Sequence, residues 1–313
     1  MVLAALLVAL AAAFTAPLAH AATTVVADPA AQDVTALDGT IVWVSGAVGS
    51  QKLMQHDPTG DRPVIGAPPA YAYRSIDLGR DRDGKLALSY VRCSRPSACV
   101  VRRDDLLGHR ASFKGLEPAR CGLTTAPALW RTTIAYGLLC HKRGSLVFDA
   151  ARSGLYVKVD GQSARRLPLP RAATQVGATS ITHIDVRGSR VAAVAADIYA
   201  FAFSETTRGT AMQTARVATS EGDGDERVVG LALGTTSTLW ALTDSSYAGD
   251  PNSARISRLA TDCLTWQTLT NPPGPTEADG YPANALAADG VKLYVVVAGT
   301  GIVAHTFAPQ VGC

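Results

Sequence analysis

Apolar residues alternate with small or polar ones through "ALDGTIVWVSG" (36–46), broken by the pair Asp38-Gly39. The phrase returns as "DRDGKLALSYV" (81–91), "DVRGSRVAAVA" (185–195) and "AADGVKLYVVV" (287–297). A period of two predicts strands whose successive side chains face opposite sides of a sheet. A Gly at the break accepts positive φ without a Cβ clash, which predicts a hairpin. Two further segments, "APALWRTTIAYGLL" (126–139) and "VVGLALGTTSTLWALTD" (228–244), keep the pattern without Asp-Gly. No apolar stripe at i, i+3, i+4, i+7 is sustained beyond the first residues, so the expected class is all-β.

With turn centres at Gly39, Gly84, Arg131, Gly188, Thr235 and Gly290, the repeat averages about 50 residues. That is the spacing of four-stranded propeller blades. Third and fourth strands are expected at 198–204 and 214–219 in one repeat, and at 254–260 and 264–269 in the next. A lone four-stranded sheet has two apolar faces and open edges; stacking such sheets in a ring buries the faces. The last repeat shows one strand after its hairpin, "IVAHTF" (302–307), and "TTVVA" (23–27) is expected to complete it. The expectation is a single β-propeller domain over 22–313, monomeric, of six four-stranded blades, closed by the N-terminal strand. The long interval from Arg131 to Gly188 leaves a seventh blade open.

Asp38-Gly39 before "TIVWV", Asp83-Gly84 before "KLALSYV" and Asp289-Gly290 before "VKLYVVV" resemble the repeats of TolB-like β-propellers. In that family an Asp-Gly turn joins the innermost strand to an Ile-Ala-(Phe/Tyr) strand. The resemblance implies a six-bladed architecture and says almost nothing about activity.

The chain opens with "VLAALLVALAAAF" (2–14), the length of a secretory apolar region and short for a membrane span. Pro17 follows, then Ala19-His20-Ala21, so residues 1–21 read as a signal peptide cleaved after Ala21. No Lys or Arg precedes the apolar run, and an uncleaved anchor is the alternative. Export to the periplasm or beyond gives the six cysteines meaning: an even number in an oxidising compartment favours disulfides. Cys121 and Cys140 lie symmetrically about Trp130-Arg131 and face each other in a hairpin. Cys93 and Cys99 bracket a strand connection, and Cys263 and Cys313 end strands of adjoining blades. No Cys-x-x-Cys occurs, which disfavours zinc ribbons and thioredoxin-like chemistry.

Net charge is +3, with 23 Arg against six Lys and no basic stripe interleaved with aromatics, so nucleic acid is not an expected partner. Sorting loops by the face on which they open gathers Glu221, Asp223, Asp225, Glu226, Asp244, Asp250, Asn252, Glu277 and Asp279. The opposing basic sector is "CHKRGS", with His141 and Arg143, and Arg152 and Arg171 nearby. Asp223, Asp225, Glu226, Asp244, Asp250, His141 and Arg143 are the candidate ligand-binding face. Alternate acids in "EGDGDE" resemble hard-cation loops, so Ca²⁺ is the one cation considered; no other cofactor is expected. There is no Gly-x-Ser-x-Gly, His-Glu-x-x-His, Walker or dinucleotide motif. His183, two residues before Asp185 on an inner strand, points toward the channel, while His56, His109, His141 and His305 lack partners at ligand spacing. The four Trp sit at packing positions between blades. The reading is an exported, non-catalytic scaffold binding a protein, peptide or cell-envelope glycan. The alternative is a secreted hydrolase, lactonase or lyase with a metal-assisted site at the channel mouth.

Overall fold

A computed structural model describes residues 22–113, 115–169, 180–196, 199–203, 212–216, 227–234, 238–244, 254–259, 267–270 and 284–307. Every regular element among them is a strand. After β1 (Ala22–Val26) the first antiparallel unit runs β2 (Ala31–Leu37), β3 (Thr40–Ser45), β4 (Lys52–Asp57) and β5 (Gly60–Pro63). The second is β6 (Ala72–Arg80), β7 (Leu86–Arg95), β8 (Ala98–Asp104) and β9 (Arg110–Ala111). Then come β10 (Cys121–Leu123) and the third unit, β11 (Ala128–Trp130), β12 (Thr133–Cys140), β13 (Gly154–Val159) and β14 (Arg165–Arg166). The fourth is β15 (Ile181–Arg187), β16 (Arg190–Ala195), β17 (Tyr199–Phe203) and β18 (Met212–Arg216). The fifth is β19 (Arg227–Leu233), β20 (Leu239–Asp244), β21 (Arg255–Leu259) and β22 (Gln267–Thr270). The sixth is β23 (Leu286–Asp289), β24 (Lys292–Val297) and β25 (Gly301–Thr306), and β1 supplies its fourth strand, pairing antiparallel with β25.

Alternation explains the packing. On β3, Ile41 and Trp43 join a buried cluster with Leu293 and Val295 of the sixth unit, while Val42 and Val44 face Leu78, Leu88 and Tyr90 of the second. One strand therefore serves two interfaces, and each fully buried aliphatic side chain contributes roughly 1.5–3 kcal/mol. The first strands of the units touch in cyclic order: β2, β6, β11, β15, β19, β23 and β2 again. The second and third units share a sheet through one parallel bridge, Trp130 with Arg80.

The hairpin turns gather at one end. Asp38 and Gly39 have φ of 54° and 77°, the left-handed pair of a two-residue turn matched to strand twist. The Gly39 amide donates to the Asp289 carboxylate at 2.6 Å, Arg80 pairs with Asp38, and the Arg131 amide donates to the Arg80 carbonyl at 2.7 Å.

The structure departs from the sequence reading in detail. The segment 126–139 is not one continuous hairpin: β11 is three residues long, and β10 separately pairs with the far end of β12. Pro127 lies at the break and has no N–H for a ladder. The strand expected at 214–219 begins at Met212, and that expected at 264–269 runs Gln267–Thr270.

Candidate functional site

The axis is polar, and the backbone supplies one local reason. Four first strands each carry an extra residue at the end away from the turn: between Ala31 and Val34, Arg74 and Asp77, Ile181 and His183, and Val228 and Gly230. A bulge re-aims side chains that strict alternation would send into the sheet interfaces.

The polar groups at the axis tie one unit to the next. Asp33 Oδ2 accepts from the Ile76 amide at 3.1 Å, and its Oδ1 from the Asn284 amide at 3.1 Å. Thr35 Oγ1 accepts from the Leu78 amide at 2.9 Å, and Asp77 Oδ2 from the Leu129 amide at 3.2 Å. Asp185 Oδ2 accepts from the Leu233 amide at 2.7 Å. The Asn284 side chain exchanges two hydrogen bonds with the backbone of Leu231, at 2.9 and 3.2 Å. Arg187 closes the turn-side end, donating to the Ala36 and Ala288 carbonyls at 2.7 and 2.9 Å and facing Asp185 at 3.7 Å. Trp130 packs against two core clusters, as expected of a Trp between units, but its ring also lies beneath both Arg80 and Arg187.

Burial raises the Asp33 carboxyl to about 7, against the backbone amides that favour its charged form. Asp77 is raised well above the carboxylate range, first by burial and then by the charge of Asp185, with Arg187 acting in the opposite sense. Among the described residues, two cavities flank these groups. One, of about 10 Å³, is lined by residues including Asp77, Thr125, His183 and Asn284. The second, also about 10 Å³, lies against Thr35, Asp77, Asp185 and Arg187. Each has room for about one water. The buried Thr125 hydroxyl makes no hydrogen bond and lines the first. Among the described residues, no three His, Cys, Asp or Glu side chains are grouped to hold a metal ion.

The expected ligand-binding residues are only partly visible. Asp223, Asp225, Glu226 and Asp250 lie outside the described residues, as do Glu221, Asn252, Glu277, Asp279 and Arg171. Asp244 ends β20 opposite Arg227 and is buried. His141 and Arg143 share the connection from β12 to β13, on a different unit from Asp244. His141 has a ring nitrogen 3.1 Å from the Leu146 carbonyl. His183 is buried, with a ring nitrogen 3.2 Å from Thr182 Oγ1. His56 and His109 do find partners, Asp61 at 2.6 Å and Asp105 at 2.7 Å, both at the surface. Cys93 is bonded to Cys99 and Cys121 to Cys140, each pair directly opposite across its ladder. Cys263 and Cys313 lie outside the described residues, as does the whole of 1–21.

The sequence reading passed over Asp33, Asp77 and Asn284. Their signal is faint: single polar residues in or beside apolar strands, as in "AQDVTAL" and "SIDLGR".

No protein-family model and no curated protein sequence matches the chain. Solved structures do. A chain of a nidogen/laminin complex is 16% identical with a TM-score of 0.50, covering 83% of this chain and 86% of that one. A putative TolB from Agrobacterium tumefaciens is 10% identical with a TM-score of 0.50, over 90% and 91%. A Hadza microbial sialidase is 11% identical with a TM-score of 0.51, over 89% of this chain and 65% of the sialidase. At such identity the likeness is one of fold alone. These neighbours are β-propellers, and the chain shares their all-β architecture.

Proposed function

We propose that the chain is a closed six-bladed propeller, exported to an oxidising compartment after loss of residues 1–21, and that it acts as a non-catalytic recognition scaffold. The cyclic contacts of the six first strands and the pairing of β1 with β25 support the closed ring. The two cross-strand disulfides are compatible with an extracellular or periplasmic location. Among the described residues no helix is long and apolar enough to cross a membrane.

One observation carries the functional reading. The carboxylates and the arginine at the axis are engaged with the backbone of neighbouring strands, and each of the two cavities beside them, among the described residues, admits about one water. A ligand larger than water is therefore met by the loops of the face opposite the hairpin turns, where the β12–β13 connection carries His141 and Arg143. That face suits a protein, a peptide or an acidic envelope glycan. The nidogen/laminin complex is one assembly in which a chain of similar fold occurs together with a protein partner.

Titration calorimetry with acidic glycans and peptides, at low and moderate salt, tests the reading. Binding that weakens when Arg143 becomes Glu supports it; no binding to any probe defeats it. Stoichiometric metal in the purified protein, lost on chelation together with thermal stability, would favour the metal-assisted hydrolase instead.

A further inference from the structure

The connection between β12 and β13, "CHKRGSLVFD" (140–149), is a finger cross-linked along its length. Its root is the buried Cys140, bonded to Cys121, whose carbonyl accepts from the Asp149 amide at 2.8 Å. Above the root, His141 bridges to Phe148, and their rings meet at a tilt of 38° with centroids 5.1 Å apart. The Lys142 amide donates to the Val147 carbonyl at 2.9 Å, and Gly144 turns the chain with φ of 69°. The His141 amide is tied to the Arg120 carbonyl at 2.9 Å.

This order is spent on presenting apolar surface to solvent. Leu146 is 91% exposed, Val147 58% and Phe148 54%. Three consecutive large apolar residues on a fixed hairpin are not the scattered exposure that any surface shows. The flanking charge is mostly positive: Lys142 and Arg143 at the tip and Arg120 beside the root are all exposed, and the one acid of the finger, the half-buried Asp149, sits at its base. The apolar triplet itself lines neither of the two cavities described above. It does match a bilayer interface, where apolar side chains enter the acyl boundary and Lys or Arg remains among anionic headgroups.

We propose that this finger is a peripheral membrane anchor, placing Leu146, Val147 and Phe148 in the headgroup–acyl boundary of a bilayer rich in anionic lipid, with Lys142 and Arg143 at headgroup level. The anchor goes beyond recognition of a protein or glycan and does not depend on it.

Flotation of the purified mature protein with vesicles of phosphatidylcholine, with and without phosphatidylglycerol, tests the proposal. Wild type is expected to float with the anionic vesicles only and to be released by high salt. Replacing Leu146, Val147 and Phe148 together by Ser is expected to lower partitioning about tenfold or more. Lys142→Ala with Arg143→Ala should lower it roughly 30-fold. These side chains are solvent-facing, so the melting temperature should hold. If the triple variant fails to fold, Val147→Trp keeps the question open to measurement: acyl-brominated lipid should quench its added fluorescence. Failure of wild type to float, unchanged flotation of the finger variants, or no added quenching overturns the proposal. So does a finger that binds a protein partner while ignoring vesicles.

Discussion

Asp33 shows how one side chain is shaped by distant parts of the chain. Its two carboxylate oxygens receive amides from Ile76 and Asn284, 43 and 251 residues away. The substitution Asp33→Asn would turn an NH₂ toward one of those N–H groups, and Asp33→Ala would leave both unpaired, a loss of roughly 2–4 kcal/mol readable by urea unfolding. The pH dependence has a defined sign. The folded carboxyl sits near 7 against an ordinary 3.8, so the folded state keeps a proton that the unfolded chain releases. That contribution is complete below about pH 4 and lost as pH rises through 7, up to roughly 4 kcal/mol. Asp77 acts in the same direction, whereas Asp57, held low by Arg62, acts in the other. The difference between wild type and Asp33→Asn across pH 4–8 isolates the Asp33 part. A variant whose melting temperature follows wild type in parallel would refute it. Gly79 is a different constraint: a Cβ there would sit 1.8 Å from the Leu129 carbonyl oxygen of the neighbouring unit. Gly79→Ala should therefore destabilise by more than a surface Gly-to-Ala change, a comparison for thermal melts.

At the scale of the strand, two staples close loops of different length. Cys93–Cys99 spans six residues and Cys121–Cys140 spans 19. Loop-closure entropy makes the second worth more, roughly 3 against 2 kcal/mol. Paired Cys-to-Ser variants, compared in denaturant, should show that order; the reverse order would mean that local strain outweighs chain entropy. The longer staple also reveals what alternation and spacing can convey. Cys121 and Cys140 are placed evenly about Trp130-Arg131, and the observed ladder puts them opposite each other. Between them, however, Pro127 splits the inner strand. The hydrophobic pattern runs through that proline unaltered, because it records which side chains are buried and not which amides can donate.

For the whole molecule, Arg187 and β1 matter most. Arg187 belongs to the fourth unit but donates to the first and sixth, and it faces Asp185. Arg187→Met should cost roughly 3–5 kcal/mol, since two buried carbonyls and the axial carboxylates lose their partner at once. A loss below about 1 kcal/mol in equilibrium unfolding would show the axis to be held by apolar packing alone. β1 closes the sixth unit, with Val26 buried in the cluster that contains Trp43. Deleting residues 22–27 exposes the edge of β25, and a lower melting temperature with self-association is expected in size-exclusion chromatography.

By itself the sequence determined the elements and their repeat. Period-two alternation, Asp-Gly turns and the lone β25 awaiting a partner are local features, and local steric preferences and burial read them directly. Tertiary structure decided the axis. Asp33, Asp77 and Asp185 look like stray polar residues in apolar strands, because their partners are backbone amides, which carry no residue identity, on segments 43 to 251 positions away. Tertiary structure also decided that Leu146, Val147 and Phe148 face outward. A run of apolar residues in the sequence implies burial, and only the hairpin drawn tight by Cys140 and His141 turns this one toward solvent.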